Sequence, residues 1–211
     1  ILGYSKNELR NKNWIDLLYE KSKEEEELYQ KMANLETDYY FGEKTFIHKN
    51  GSIVYGNLII RHDELLKHYL VLLEDITDRK MVEEKLKETK QYLKNIVDSM
   101  PSALIGFDLS GKITQWNYAA EIEFNLLSEK AIGNDILQVL IKEESLIKKV
   151  FNEIKEGNTF FLEKYEVWNH DKKNYKNIIA YPIISNQIEG GVLKIDDITE
   201  KVHMEAMMIQ T

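Results

Sequence analysis

The sequence predicts an α+β fold laid out twice, each copy an antiparallel sheet with helices on one face. Three observations predict it. Asp-Ile-Thr occurs at Asp75-Ile76-Thr77 and again at Asp197-Ile198-Thr199. Each copy follows an apolar run of strand length and opens a charged stretch of helical composition. The residues ahead of the two copies correspond over a spacing of about 122 positions, so one module is repeated rather than one domain extended.

In the first module, Trp14 to Leu18 sits where Ile136 to Leu140 sits in the second. Leu28, Tyr29 and Met32 fall under Val150, Phe151 and Ile154 at the same offset. Thr45 to His48, Ile53 to Arg61 and Tyr69 to Glu74 read as three strands, with Asn50-Gly51 as a hairpin turn. The carboxylate run Glu24 to Glu27 reads as the solvated face of a helix. An opening pair of strands is missing, and nothing in Ile1 to Asn13 supplies it.

The second module reads as complete. Ser102 to Asp108 is a strand, Ser110-Gly111 a tight turn and Lys112 to Trp116 the hairpin partner. Tyr118 to Phe124 and Ser128 to Ala131 read as short helical turns. Glu143 to Glu156 is the clearest helix, with Leu146, Ile147, Val150, Phe151 and Ile154 at helical spacing and Gly157-Asn158 as a left-handed stop. Phe160 to Trp168, Tyr175 to Ile184 and Gly191 to Asp196 follow as strands, with Pro182 near the end of its own. Strands, then helices, then strands give an antiparallel sheet with helices on one face. The predicted organisation is 1–77 for the first module, 78–100 for a connecting helix, 101–199 for the second module and 200–211 for an output helix.

Residues Asp78 to Met100 contain neither Gly nor Pro. Val82, Leu86, Thr89, Leu93, Ile96 and Met100 recur at alternating spacings of four and three, the seam of a coiled coil. Met204, Met208 and Thr211 start the same register after the second module. A seam of this kind predicts a homodimer paired through the helices; the plainer alternative is an amphipathic helix packed on its own domain. At each Asp-Ile-Thr, the acid or threonine is placed to cap the new helix, and the acid three residues after the first Asp suits a capping box. Arg79 and Lys201 are then placed to pair with the cap carboxylate. Asp75, Thr77, Arg79, Asp197, Thr199 and Lys201 therefore form a candidate relay, where strand movement becomes helix movement.

These residues resemble the PAS domains of bacterial signalling proteins. Ala103 to Asn117 resembles that family's opening hairpin with its terminal Asn, Ala119-Ala120-Glu121 its first helix, and Tyr181-Pro182-Ile183 its late strand. Gly191 to Thr199 resembles its last strand with the Asp-Ile-Thr ending. In the first module the resemblance rests on Leu2-Gly3-Tyr4-Ser5 with Glu8-Leu9, on His48 to Ser52, and on Leu73 to Arg79; it covers the later two-thirds of a domain. The tail Lys201 to Thr211 resembles the segment leading into the dimerisation helix of a sensor histidine kinase. His203 is followed by Met204 and does not match the phosphoacceptor block, and no nucleotide-binding glycine boxes are present. The resemblance thus implies a non-catalytic sensory piece of a longer protein, whose kinase domains and response-regulator partner lie beyond this chain. The chain starts at Ile1 rather than Met and its last helix is still running at Thr211, in keeping with that reading.

Composition narrows the chemistry. A formal charge of −8, with Lys and Arg scattered among Asp and Glu, gives no support to nucleic-acid binding. No apolar run is long enough to span a bilayer, and the absence of cysteine fits a reducing, cytoplasmic setting, with a membrane anchor of the parent protein upstream of Ile1 left open. There is no cysteine, which excludes a covalent flavin adduct and thiolate metal sites. Haem is disfavoured, since the haem-binding relatives use a His on the long helix and Glu143 to Glu156 has none. His48, His62, His68, His170 and His203 lack metal-ligand spacing and read as surface or structural; no metal site is expected. Nothing places a base beside a nucleophile, so no catalytic residue is assigned. Alternation in Lys112 to Asn117 puts Ile113, Gln115 and Asn117 on one strand face and Trp116 on the other. Phe107, Ile113, Gln115, Asn117, Phe151, Tyr165 and Tyr181 are the candidate lining of a small-molecule pocket, the alternative being an ordinary filled core. Two rivals to kinase input stay open: input to another output enzyme such as a cyclic-dinucleotide cyclase, or a ligand-free dimerising spacer.

Overall fold

Capping chemistry and strand alternation set the elements. The computed structural model describes residues 1–34, 36–65, 68–140, 143–169 and 172–209, and the chain divides into two units, 1–90 and 91–211. His170 and Thr211 lie outside the described residues.

In the first unit, α1 (Lys6–Leu9) opens on a capping box between Ser5 and Glu8. A 3-10 turn (Trp14–Leu17) and α2 (Lys23–Ala33) follow, α2 opening on a second box between Ser22 and Glu25. The helices pack on β1 (Tyr39–Ile47), β2 (Ile53–Asp63) and β3 (His68–Asp75), an antiparallel sheet in the order β1-β2-β3. Gly51 turns the first hairpin at φ 90°, a conformation that costs glycine no steric strain. Leu17, Leu18, Met32, Phe46, Leu58 and Ile60 form the core. β1 begins six residues before the expected Thr45. Its inward positions Tyr40, Gly42 and Lys44 are not an apolar series, which hides the strand from pattern reading. Glu25 is also not purely solvated: it reaches across to Lys44, and that hydrogen bond, with a second from Ser22, depresses its pKa to about 2.

The 23-residue helix α3 (Thr77–Ser99) spans the boundary between the units and buries none of its side chains. Val82, Leu86, Leu93, Ile96 and Met100 are all exposed.

The second unit holds β4 (Ala103–Asp108), β5 (Ile113–Trp116), α4 (Tyr118–Phe124), α5 (Ser128–Ala131), α6 (Ile136–Val139) and α7 (Glu144–Lys155). Then come β6 (Phe160–Asn169), β7 (Lys172–Ile184), β8 (Ile188–Asp197) and α8 (Thr199–Ile209). The sheet is antiparallel throughout in the order β5-β4-β8-β7-β6, so the last strand lies in the middle, between β4 and β7. In the β4–β5 turn, Asp108 Oδ1 accepts from the N–H groups of Ser110 and Lys112, and Gly111 takes φ 90°. α7 ends in a Schellman pattern, with Asn158 N–H donating to Glu153 C=O and Gly157 at φ 80°. Its buried face of Leu146, Ile147, Val150 and Ile154 covers the sheet. Each fully buried aliphatic side chain of this kind stabilises by about 1.5–3 kcal/mol.

One expectation reverses. Trp116 is 2% exposed and belongs to the core, while Gln115 points to the solvated face. Gly106 pairs with Gln115 and Phe107 with Ile113, so Thr114 is an extra residue on β5. This bulge adds one position between Ile113 and Trp116 and brings both to the inner face.

Candidate functional site

The two Asp-Ile-Thr junctions share one hydrogen-bonding scheme. In the first unit Asp75 Oδ1 accepts from Thr77 N–H at 2.9 Å, Ile76 N–H donates to Tyr55 C=O at 2.9 Å, and Thr77 Oγ1 accepts from Tyr55 N–H at 3.0 Å. In the second, Asp197 Oδ1 accepts from Thr199 N–H at 2.9 Å, Ile198 N–H donates to Tyr175 C=O at 2.9 Å, and Thr199 Oγ1 accepts from Tyr175 N–H at 3.0 Å. The Asp therefore satisfies one orphan N–H of the new helix, as a cap does. The Thr does not cap; its hydroxyl turns back to stitch the helix start onto β2 or β7. Ile76 and Ile198 supply the first helical acceptor, taking the N–H of Lys80 and Val202. A shift of β2 at Tyr55 or of β7 at Tyr175 is thus coupled to the first turn of α3 or α8 by two bonds, with the Asp bond fixing the turn itself.

Arg79 and Lys201 do not pair with the cap carboxylates. Arg79 and Lys80 both bind Glu43 on β1, and Arg79 also meets Glu83. In the second unit Asp197 is held instead by Lys176 at 3.0 Å, and Lys164 on β6 meets Glu205 on α8 at 3.3 Å.

Lys176 is a site residue that sequence pattern does not single out. It is 5% exposed on the inner face of β7, two residues from Ile178 and four from Ala180, and a lysine in that inward series was the available signal. Its Nζ lies 2.8 Å from Glu123 on α4 and 3.0 Å from Asp197. Burial pulls its pKa down, but the hydrogen bonds to Glu123 and then Asp197 outweigh that and hold it above the ordinary lysine value. Asp197 likewise resists its own burial. Hydrogen bonds from Thr199 and Lys176 keep its pKa below the usual aspartate value.

Lys176 lines a cleft of about 690 Å³ between the sheet and α4, α6 and α7. Ile122, Leu126, Leu140, Ile147, Ile178 and Leu193 form its apolar wall. Tyr165 lines it too, donating its hydroxyl to Glu143 at 2.8 Å, which raises the phenol's pKa. The volume is that of an ordinary small-molecule site. Among the described residues, no group of three or more His, Asp or Glu is placed to hold a metal.

The other candidate lining residues lie elsewhere. Phe107 and Phe151 stack at 5.1 Å within the packed core, where Ile113 is also buried. Gln115 is on the solvated face, and Tyr181 is 49% exposed on the outer face of β7. Asn117 is fully buried and fully engaged: Oδ1 accepts from Leu104 and Ala120 N–H, and Nδ2 donates to the carbonyls of Val97 and Ser102, all at 2.8–3.0 Å. It caps α4 and ties the last turn of α3 to the opening strand.

His48 Nδ1 accepts from Asn50 N–H, and its ring fills the space beside Gly3. His62 packs on Tyr69 and His203 on Tyr175.

A family model described as "PAS fold" matches residues 91–164, and one described as "PAS domain" matches residues 1–78. No curated protein matches the chain. Among solved structures, the PAS domain of histidine kinase ThkA is 27% identical, covering 46% of this chain and 98% of that one, with a TM-score of 0.41. A PAS domain from Colwellia psychrerythraea is 24% identical, covering 53% and 98%, with a TM-score of 0.42. A sensory box sensor histidine kinase from Vibrio cholerae is 20% identical, covering 56% and 97%, also at 0.42. No described helix is long and apolar enough to cross a membrane. With two family models matching separate stretches that together make up most of its length, the chain contains PAS domains.

Proposed function

We propose that the chain is a tandem pair of PAS modules from a cytoplasmic signalling protein, which passes a ligand or partner signal through paired helices to a downstream histidine kinase. The observation that carries this reading is the repeated junction: the same two bonds hold the start of α3 to Tyr55 and the start of α8 to Tyr175, and the same Asp–Thr bond caps each helix. A strand-to-helix coupling built twice in one chain is what serial transmission requires. The input works by favouring one of two helix arrangements through differential binding free energy. The exposed seam of Val82, Leu86, Leu93, Ile96 and Met100 supports pairing with a second copy, and exposed Met204 and Met208 begin the same register on α8. The histidine-kinase output rests on the tail that follows Thr199.

The test replaces Asp197 and Thr199 with alanine in the full-length protein and measures autophosphorylation with and without stimulus. The proposal expects a folded protein whose output no longer responds. A response equal to the parent's would remove the junction from the signalling route.

A further inference from the structure

The cleft of the second unit has an apolar wall, a deep ammonium and carboxylates at its rim. Among the described residues Lys176 is the one cation lining it. The Lys176 side chain is 6% exposed, against 33% for Glu123 and 51% for Asp197. A lysine has three N–H donors. Two are engaged by Glu123 and Asp197, and no third partner is present among the described residues. The two carboxylates are not equally fixed. Asp197 also accepts from Thr199 N–H at 2.9 Å, whereas among the described residues Glu123 is bound to Lys176 alone.

We propose that this cleft is a site for a small carboxylate with an apolar body, whose carboxylate takes the place of Glu123 on the Lys176 ammonium. The argument is one of differential desolvation. A buried ammonium needs a counter-charge wherever it sits, and removing one without replacement is costly. Exchanging Glu123 for a ligand carboxylate keeps Lys176 neutralised while Glu123 returns to water. The ligand's apolar body covers Ile147, Ile178 and Leu193. A cationic head at the same depth would be repelled by Lys176; the other two lining carboxylates, Glu143 and Glu166, are already engaged by Tyr165 and Lys173. A neutral alcohol buries the same chain and leaves the ion pairs as they are. The exchange happens on the lysine that also holds Asp197, which is how binding reaches the start of α8. The inference deepens the sensory reading above and rests on it.

The probes are octanoate, octanol and octylamine, titrated at neutral pH into the chain and read by calorimetry with the shift in unfolding temperature. Octanoate is expected to bind saturably and to raise the midpoint, with the alcohol and the amine each at least about tenfold weaker. Lys176→Met should lose that preference. Its fold is checked by circular dichroism, and should it fail, Glu123→Gln decides. Glu123→Gln removes the competitor and should tighten octanoate several-fold. Octanol or octylamine binding as well as octanoate overturns the carboxylate site while leaving a ligand-sensing module. So does weaker or unchanged octanoate binding in Glu123→Gln. No binding by any probe also overturns it. Because binding is read without the output domain, failure here leaves the junction test untouched, and the reverse also holds.

Discussion

Asn117→Ala is expected to be the most damaging conservative truncation in the second unit. The side chain is 0% exposed and makes four hydrogen bonds of 2.8–3.0 Å. Without it, Leu104 N–H, Ala120 N–H and Ser102 C=O lose a partner, while Val97 C=O keeps its bond from Met100 N–H. Each orphaned buried neutral group costs about 1–3 kcal/mol, and water entering the vacated space recovers part of the total. The expected loss is about 4 kcal/mol, of which the missing helix cap alone accounts for about 1 kcal/mol. Denaturant unfolding followed through buried Trp116 measures it, and amide exchange at Leu104 and Ala120 locates it. Asn117→Asp separates the two halves of the side chain. It keeps both acceptor bonds but sets a carboxylate against the carbonyls of Val97 and Ser102, so its deficit should shrink as the pH falls and the acid protonates. A loss below about 1.5 kcal/mol in Asn117→Ala, or unchanged protection of the Ala120 amide, would refute the reasoning.

Gly190→Ala should part the β4–β8 ladder, because a Cβ there would lie 2.0 Å from Phe107 O and 2.9 Å from Asp108 Cα, both backbone. A loss of about 3 kcal/mol or more is expected, and a melting temperature within a degree or two of the parent's would contradict it. The first unit should lose acid stability through Glu25. Its folded pKa is depressed from 4.5 to about 2, so the contribution is fully present above 4.5 and disappears as the pH falls toward 2. That contribution is about 2–3 kcal/mol, and Glu25→Gln should flatten the stability–pH slope across that window. β3 pairs only with β2 among the described residues, and its Leu70 and Leu72 are 69% and 58% exposed. Lysine at both positions should suppress concentration-dependent association in sedimentation, since charged edge strands resist pairing. An unchanged sedimentation profile would clear β3 of that role.

What pattern reading could see was what repeats or alternates. The Asp-Ile-Thr pair, the apolar face of α7 and the Asn50-Gly51 turn are local signals, and each marks an element found within a residue or two of its place. The failures share a cause: the decisive contact is made across the sheet rather than along the chain. One extra residue, Thr114, reverses which side of β5 faces the core, and a bulge has no sequence period to announce it. Alternation along β5 makes Asn117 a candidate pocket-lining residue. Its four partners come from Val97, Ser102, Leu104 and Ala120, and only the fold brings them together. Likewise, Thr199 looks like a cap because it begins a helix, yet its hydroxyl serves Tyr175, 24 residues earlier.

The duplicated junction also shows where the units part company. Gly56 opposes Asp75 on the neighbouring strand, as Lys176 opposes Asp197. A Cβ on Gly56 would come within 2.4 Å of Leu73 Cδ1 and 2.9 Å of Phe46 Cε2, so the space behind the first junction is already filled by packed apolar groups. Behind the second lies a buried ammonium at the wall of a cleft. Apolar packing is non-directional and offers nothing to exchange, whereas an ion pair can trade one carboxylate for another at nearly constant charge. The same two bonds therefore hold both helices to the neighbouring strand, and on the proposal above the charge behind the second is open to a competitor. On the proposed function, the first unit would transmit and the second would also read.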